Sequence, residues 1–470
     1  MKTIYIDHKK QFSIIAVWHI KCLVALFSFI ILCDSTNAQT WNIVGSAGFS
    51  EGQADYTSIA IDGSGTPYVA YVDYGNGRRA SVMKYDGSKW VNVGIAGFSA
   101  GVVVRPYIAI DGSGTPYVVY QDGGGSFNAI VMKYSGSSWI AVGPSGGISA
   151  DGTNFPSIAI DAGGTPYVAY KELAHGKAVV MKYYGSNWEI VGSAGFSAGW
   201  ADWLSLAIDR SGTPYVVYED NYYDNKATVM KYDGSNWVTV GTPGFSAGGA
   251  IFTSIAIDSI GTPFVVYSDL TSGTNVMKYY GGSWALVGTA GIAARLIGSA
   301  AKSVAIDGSG TPYVVGEDIN GKAIVMKYDA SSWITAGITG FSASRVYNPS
   351  LTINRSGTPY VVYSDSVNGK KATVMKFGTG VGVKNMGNPS ATNLSVSPNP
   401  SQGSFTVNVS SATNENAQII ITNIIGQKIK EMNTTTNKDV EINLDAPPGM
   451  YFITAVTEEG RESAKVVVTQ

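Results

Sequence analysis

An all-β fold is predicted by two features of the 470-residue sequence, its composition and its internal repetition. Glycine (57 residues), tyrosine (28) and tryptophan (10) are abundant; glycine favours turns, whereas aromatic residues favour strands. The segment IDGSGTPYVAY, which begins at Ile61, recurs in six further near-copies about 49 residues apart, the pattern of a repeat array. No stretch shows the 3.6-residue apolar period of an amphipathic helix, which excludes helical solenoids.

Each repeat is predicted to contain four short strands. In the first repeat they are residues 58–62, 68–73, 80–85 and 90–94, rich in Val, Ile, Tyr and Trp and separated by Gly, Pro, Asp and Ser. Four strands in about 49 residues correspond to one blade of a β-propeller. Tryptophan marks the register of the repeats, at Trp41, Trp90, Trp139, Trp188, Trp237, Trp284 and Trp333.

The two ends of the array predict how it closes. Trp41 opens the array without the three strands that precede tryptophan elsewhere, and the last copy ends at Gly378 without a following tryptophan. We therefore predict a seven-bladed β-propeller closed by its N-terminal strand, with Trp41 beside Val374, because such pairing removes exposed sheet edges. Residues 39–378 resemble the seven-bladed propellers of secreted bacterial proteins. They lack the WD and kelch signatures and part of the sialidase Asp-box, so sialidase chemistry is not implied.

The first 38 residues are predicted to be a signal peptide. Basic residues precede an apolar run from Cys22 to Cys33, and a cleavage site follows Ala38. A membrane anchor and a lipoprotein anchor on Cys33 are the alternatives. Cleavage leaves 28 basic and 32 acidic side chains, no cysteine and only His175. No basic patch remains, so no nucleic-acid partner is expected.

The C-terminal part of the sequence differs in composition from the repeats. Residues 379–393 form a predicted linker rich in Gly and Asn, and residues 394–470 alternate like the strands of a small immunoglobulin-like β-sandwich. Three short motifs stand out in this tail, at Pro398, Asn399, Pro400, Gly403, Phe405, Asn423, Gly426, Gly449, Met450, Tyr451 and Lys465. The tail resembles the C-terminal sorting domain of type IX secretion cargo in the Bacteroidetes.

The resemblance implies a partner and a destination for the protein. The type IX secretion machinery would recognise the tail, and the chain would cross the outer membrane. Removal of the tail would then release the protein or leave it attached at the cell surface. The alternative is an ordinary immunoglobulin-like module without a sorting role.

Carboxylates are the main candidates for chemistry in the repeats. Catalytic triads and zinc sites need His or Cys, and only His175 remains, so neither is expected. One carboxylate opens the DGSGTP turn, where its side chain is expected to accept backbone N–H groups. A Ca²⁺ site would need acids at alternate positions, and this turn offers one, so Ca²⁺ is unsupported and no cofactor or metal is predicted. The positions are Asp62, Asp111, Asp161, Asp209, Asp258, Asp307 and, in the seventh copy, Asn354.

A second carboxylate ends the second strand of every repeat. An acid in each copy is explained more simply as a strand-end cap than as seven catalytic groups. No pair of carboxylates is distinguished from the others as glycoside hydrolysis would require. The residues are Asp73, Asp122, Glu172, Asp220, Asp269, Asp318 and Asp365.

Loop variation among the repeats predicts a recognition face. The loops between strands one and two and between strands three and four hardly change, whereas the loops between strands two and three and between consecutive repeats differ widely. Strand alternation places each pair of loops on its own face, and variable loops are where recognition surfaces form. The fourth repeat is richest in candidates for ligand binding, with Trp200, Asp202, Trp203, Asp220, Tyr222, Tyr223 and Asp224.

Exposed aromatic rings beside carboxylates suit a sugar, whose C–H face stacks while its hydroxyls form hydrogen bonds. The alternative is that Trp203 only packs at the mouth of the central channel, as Tyr56, Phe155 and Phe252 could at matching positions. We expect a monomeric, secreted or surface-displayed propeller that binds a glycan or a surface protein without catalysis. A carboxylate-dependent polysaccharide hydrolase or lyase and a structural or adhesive surface protein are the rival functions.

Overall fold

The computed structural model describes residues 39–125, 127–149, 151–269, 271–292, 304–379, 393–411, 413–423, 427–457 and 461–469. The predicted signal peptide (1–38), most of the predicted linker (380–392) and Gly426 lie outside these residues. The chain divides into two compact units, Met1–Thr379 and Gly380–Gln470. Among the described residues, no helix has the length and apolarity needed to span a membrane.

The described part of the first unit consists of short strands and two 3-10 turns, Tyr74–Asn76 and Asn221–Tyr223, which confirms the all-β prediction. In chain order the strands are β1 (Gln39–Ile43), β2 (Ala54–Ile61), β3 (Pro67–Asp73), β4 (Arg79–Tyr85), β5 (Trp90–Asn92), β6 (Val103–Ile110), β7 (Pro116–Asp122), β8 (Ala129–Tyr134), β9 (Trp139–Ala141), β10 (Thr153–Ile160), β11 (Pro166–Glu172), β12 (Ala178–Tyr184), β13 (Asn187–Ile190), β14 (Ala201–Ile208), β15 (Pro214–Asp220), β16 (Lys226–Tyr232), β17 (Trp237–Thr239), β18 (Ile251–Ile257), β19 (Pro263–Asp269), β20 (Gly273–Tyr280), β21 (Ser283–Leu286), β22 (Val304–Ile306), β23 (Pro312–Glu317), β24 (Ala323–Tyr328), β25 (Trp333–Thr335), β26 (Val346–Ile353), β27 (Pro359–Asp365) and β28 (Lys371–Thr379).

These strands form seven four-stranded antiparallel sheets in the described part of the unit. Sheets 1 to 6 each contain four consecutive strands, beginning with β2–β5 and ending with β22–β25, and sheet 7 has the order β1-β28-β27-β26. In sheet 7, Trp41 lies opposite Phe377, and the backbone N–H of Val44 donates to the carbonyl of Val374 over 2.9 Å. The predicted neighbour of Trp41 is therefore displaced by three residues.

The first strands of successive sheets contact one another. The contacts run β2 to β6, β6 to β10, β10 to β14, β14 to β18, β18 to β22 and β22 to β26, and β26 also contacts β2. Where they are fully described, these strands begin about four residues earlier than the repeats predict. A β-bulge interrupts their alternation, as between Asp55 and Ser58 in β2, and the bulge hides the first half of each strand from a period-two pattern.

Tryptophan joins each sheet to the preceding one. The indole N–H of Trp90 in sheet 1 donates to the carbonyl of Val44, just after β1 of sheet 7, over 2.7 Å. Its ring stacks on Phe49 of the same loop, with ring centroids 4.1 Å apart. Gly45 has φ +73°, and a Cβ there would lie 3.0 Å from the Trp90 ring, so glycine permits the approach. Equivalent bonds join Trp41 to Ala336, Trp139 to Val93, Trp188 to Val142, Trp237 to Val191, Trp284 to Val240 and Trp333 to Val287.

The seam between sheets 2 and 3 lacks the phenylalanine of this arrangement. Ile148 occupies the position that Phe49 has before sheet 1. A cavity of about 300 Å³ lies there, lined by Ile148, Tyr170, Met181 and Ile190 among others. Isoleucine cannot stack on an indole as phenylalanine does, so the Trp188 seam lacks the ring-on-ring contact of the Trp90 seam.

The predicted role of the first carboxylate set is confirmed. Oδ1 of Asp62 accepts the backbone N–H groups of Ser64 and Thr66, each at 2.9 Å, and the Ser64 hydroxyl at 2.6 Å. Gly65 follows with φ +91°. The carboxylate therefore replaces missing backbone partners in a tight turn, as Asx side chains do.

The second unit is a two-sheet sandwich. Its strands are β29 (Asn393–Ser397), β30 (Ser404–Ser410), β31 (Asn416–Asn423), β32 (Lys428–Thr435), β33 (Asp439–Asn443), β34 (Gly449–Val456) and β35 (Arg461–Val468). One sheet has the order β29-β30-β33 and the other β32-β31-β34-β35. Apolar side chains from both sheets, including Phe405, Ile419, Ile442 and Ile453, form one buried core.

Replacing a tryptophan should test whether the seams hold the first unit together. Trp90→Ala removes a buried ring, a hydrogen bond and a stacking contact, and should lower the free energy of unfolding by about 3 to 5 kcal/mol. Trp188→Ala is the matched control, and its loss should be smaller because the Trp188 ring is only half-buried and has isoleucine in place of the stacked phenylalanine. Chemical denaturation measures both; equal losses would contradict a stabilising role for the Phe–Trp stack.

Candidate functional site

The two variable loops of sheet 4 lie against each other. One loop precedes β14 and the other joins β15 to β16. The backbone N–H of Asn221 donates to the carbonyl of Trp200 over 3.1 Å, and that of Gly199 donates to Oδ1 of Asp220 over 3.2 Å. The same kind of backbone bond joins Tyr74 to Gln53, Gly123 to Val102 and Leu173 to Gly152 in the first three sheets.

Asp220 supports this surface from beneath. Its side chain is fully buried, and Oδ1 also accepts the backbone N–H of Tyr222 at 3.1 Å, which caps the 3-10 turn. Burial raises the pKa of the Asp220 carboxyl, and hydrogen bonds from Tyr222, Thr228 and Gly199 partly offset that effect. Asp220 therefore positions the loop and is not accessible to a ligand, in keeping with a strand-end cap.

Tyr222, Tyr223 and Asp224 lie on the loop that Asp220 holds. Tyr222 is 68% exposed, and its ring meets the Tyr223 ring edge to face with centroids 5.1 Å apart. Tyr223 is half-buried against Gly244 of the next variable loop, where a Cβ would lie 2.7 Å from the Tyr223 Cβ. Asp224 is exposed and has φ +56°. Tyr222 and Asp224 are therefore accessible, whereas Tyr223 mainly connects two loops.

Trp200 and Asp202 form a second group around a lysine of sheet 3. The Trp200 ring is 59% exposed and packs over Gly176, where a Cβ would lie 2.7 Å from the indole. Nζ of Lys171 lies 5.4 Å from the Trp200 ring centroid and 2.6 Å from Oδ1 of Asp202. The structure thus brings an exposed indole and an ion pair together at the junction of sheets 3 and 4.

Trp203 occupies the bulge of β14, deeper than Trp200. Its ring centroid lies 4.7 Å from that of Phe155 and 4.4 Å from that of Phe252. The ring is half-buried, so it packs against the matching residues of neighbouring sheets, as one of the two sequence interpretations proposed.

The bulge places a large residue in the left-handed region in most of the first strands. The residues have φ between +49° and +55° and are Tyr56, Arg105, Phe155, Trp203, Phe252 and Asn348. Bulky L-residues rarely adopt this conformation. The seventh equivalent, Ala301, lies outside the described residues.

Lys171 and Glu219 are functional candidates that the repeat comparison missed. Glu219 is the cross-strand partner of Asp202. Burial, followed by the charge of Asp202, raises the pKa of the Glu219 carboxyl to about 7, against the opposing effects of Lys171 and a hydrogen bond from the Trp203 side chain. Both residues stand immediately before the strand-end acid, where the other repeats carry Val72, Gln121, Ser268, Glu317 and Ser364. The variation at this position among the repeats is the sequence signal that could have identified Lys171 and Glu219.

Metal-binding and histidine chemistry have little support in this region. No group of three or more His, Cys, Asp or Glu side chains in the described residues is arranged to hold a metal ion. Nδ1 of His175 lies 3.2 Å from Oε1 of Glu172, and the imidazole is largely exposed. It is placed on a loop as a solvated side chain.

The tail motifs connect the start of the sandwich to its last strand. Oδ1 of Asn399 accepts the backbone N–H of Val467 at 2.9 Å, and its Nδ2 donates to the carbonyl of Lys465. The Tyr451 hydroxyl donates to the carbonyl of Pro447 over 2.6 Å. Phe405 lies in the core, Gly403 has φ +94°, and Gly449 begins β34. Pro398 and Pro400 flank Asn399 and set the path of this loop.

Solved structures similar to this chain share little sequence with it. A puromycin-hydrolysing peptidase of Mycobacterium tuberculosis is 12% identical, with a TM-score of 0.50, over 79% of this chain and 60% of that chain. An ulvan lyase is 12% identical with a TM-score of 0.43, over 73% of this chain and 96% of that one. The lectin of Aleuria aurantia is 16% identical with a TM-score of 0.41, over 63% and 98%.

These likenesses concern the fold alone. This chain spans about three fifths of the length of the two puromycin-hydrolysing structures it matches, 59% and 60%. No curated protein sequence matches the chain.

The C-terminal unit is similar to a known family of sorting domains. Residues 395–469 match the family described as the secretion system C-terminal sorting domain. A domain of this kind interacts with the type IX secretion machinery of Bacteroidetes-type bacteria. The protein is therefore secreted or displayed at the outer-membrane cell surface.

Proposed function

We propose that the first unit is a closed seven-bladed β-propeller. Seven four-stranded sheets, the pairing of β1 with β28, and the contact of β26 with β2 support this architecture. In such a ring the first strands line the central channel and the variable loops share one face. The junction of sheets 3 and 4 then lies on the recognition face.

We further propose that this face binds a glycan and that the protein is a non-catalytic recognition module. The observation that supports the proposal best is the exposed Trp200 ring beside the Lys171–Asp202 ion pair. An indole face stacks on the C–H face of a pyranose, and the ammonium and carboxylate groups can exchange their mutual contact for hydrogen bonds to hydroxyls.

Tyr222 extends the same surface. The backbone bond between Asn221 and Trp200 keeps the two loops together, and the buried Asp220 holds Tyr222 in place. A second exposed ring on a supported loop favours a ligand longer than one sugar unit. A flat protein surface is the alternative partner, and a glycan array distinguishes it.

Truncating the two exposed rings should test glycan recognition. Trp200→Ala combined with Tyr222→Ala should weaken binding to the glycans recognised on an array by at least about tenfold, because two stacking contacts are lost. The melting temperature should change little, since both rings are largely exposed. Tyr184→Ala with Tyr280→Ala removes two exposed rings from the ends of β12 and β20, beside the loops that hardly change among the repeats, and should leave binding intact. A large loss of stability would instead assign the rings to the core.

A carboxylate-dependent hydrolase or lyase is the second candidate function. It is favoured by the Glu219–Asp202 pair, in which the Glu219 carboxyl, with its pKa raised to about 7, lies opposite the carboxylate that Lys171 contacts at 2.6 Å. A carboxyl group whose pKa lies near neutral pH can act as a general acid. Asp220 is unsuited to such a role because it is buried beneath the loop.

Glu219→Gln should separate the two functions and show the raised pKa. The Glu219 carboxyl keeps its proton to higher pH in the folded protein than in the unfolded chain, where its pKa is about 4.5. This difference stabilises the folded protein fully below about pH 4.5, and the stabilisation is lost as the pH rises to about 7. Melting temperatures across this range should fall more steeply for the wild type than for the variant. The exposed Glu189→Gln serves as control.

The same variant tests turnover. Retained glycan binding with no release of reducing or unsaturated ends by either protein supports recognition. Turnover by the wild type that disappears in Glu219→Gln would establish the enzyme instead.

A further inference from the structure

Arg105 is the one cation among the described left-handed bulge residues. It lies in β6 with φ +50° and is half-buried. Its guanidinium carbon lies 4.5 Å from the ring centroid of Phe155, and Nη1 donates a hydrogen bond to Oδ1 of Asn154. Both neighbours belong to β10 of the next sheet, so the guanidinium spans the inner edge between sheets 2 and 3.

This guanidinium has no carboxylate partner among the described residues. The ion pairs of that part of the chain join Lys171 to Asp202, His175 to Glu172 and Lys428 to Glu431. Nε of Arg105 is buried and has no hydrogen-bond acceptor there. A buried donor without an acceptor and a charge without a counter-ion are both unfavourable. The Arg105 guanidinium therefore lacks an anionic partner among the described residues.

An aromatic surface continues from Arg105 along the bulges. The Arg105 guanidinium covers Phe155, Phe155 contacts Trp203 at 4.7 Å, and Trp203 contacts Phe252 at 4.4 Å between ring centroids. We call these four residues the bulge cluster. All four side chains are half-buried and not enclosed. The cluster therefore has a cation at one end and partly exposed aromatic residues along its length.

Nearby carboxylates do not supply the missing counter-charge. Glu219 interacts with the Trp203 side chain, and Asp202 is already paired with Lys171. The bulge itself explains why large side chains converge here. It does not explain why one of them is a cation that lies over a ring and has no carboxylate partner among the described residues, a partner that an acidic ligand would supply.

We propose that the bulge cluster binds a carboxylate-bearing sugar, a uronate. Its pyranose ring would stack on Trp203, and its carboxylate would accept hydrogen bonds from the Arg105 guanidinium beside Phe155. The planar fork of arginine matches the two oxygens of a carboxylate. This inference rests on the proposed glycan recognition and specifies its ligand class.

The test compares acidic sugars with their neutral esters. Tetramers of galacturonate, glucuronate and mannuronate, and the methyl ester of each, are titrated calorimetrically into the full secreted protein. We expect at least one acid to bind about tenfold or more tightly than its ester. Arg105→Gln should abolish that preference, so that the acid and its ester bind this variant with similar affinity. The matched control is Arg210→Gln, which changes an exposed arginine in the turn that recurs in every repeat. This variant should behave as the wild type.

Each outcome decides the proposal. No preference for any acid, or a preference that survives Arg105→Gln, would overturn it. If Arg105→Gln does not fold, Arg105→Lys keeps the charge without the fork, and an unchanged acid-to-ester ratio in that variant would also overturn it. Neutral glycans bound through Trp200 and Tyr222 without an acid preference would leave the proposed function standing. Absence of binding to any glycan would contradict both the uronate site and the proposed glycan recognition.

Discussion

The first unit depends on the contact that each tryptophan makes with the preceding sheet. The indole N–H satisfies a loop carbonyl that no strand pairs with, and in five of the seven seams the ring also stacks on a phenylalanine. One side chain thereby fixes both the distance and the rotation between neighbouring sheets. The position of every variable loop relative to the next follows from this repeated geometry, including the junction that carries Trp200 and Lys171.

Much of this architecture could be predicted from the sequence because it is repeated. Comparison of the seven near-copies identifies the strands, the Asx turns and the sheet that combines the first strand with the last three, without any knowledge of contacts. Where it is fully described, the first strand of each sheet is longer than the sequence predicts, because the bulge at residues such as Tyr56 breaks the alternation on which strand prediction relies. Similarly, tryptophan marked the register, but its bond to the previous sheet depends on a partner in another repeat.

The candidate site was predicted less well, for a physical reason. Exposed rings such as Trp200 and Tyr222 stand out by residue type and loop position. Lys171, Glu219 and Arg105 acquire their significance only from neighbours in adjacent strands, namely Asp202, Trp203 and Phe155. Comparison of repeats shows where residues differ. It does not show which differing residues meet, or that burial moves one carboxyl group into the neutral pH range.

The pairing of β1 with β28 has a consequence for the order of events during export. It joins segments 336 residues apart in the chain, so forming it carries a large loop-closure cost that only the assembled sheets between them can reduce. Until β1 pairs with β28, the last sheet contains only β26, β27 and β28, and the edge of β28 is unpaired. Pairing of β1 with β28 is therefore expected to be a late step of folding, after which this side of β28 presents no free edge for intermolecular strand addition.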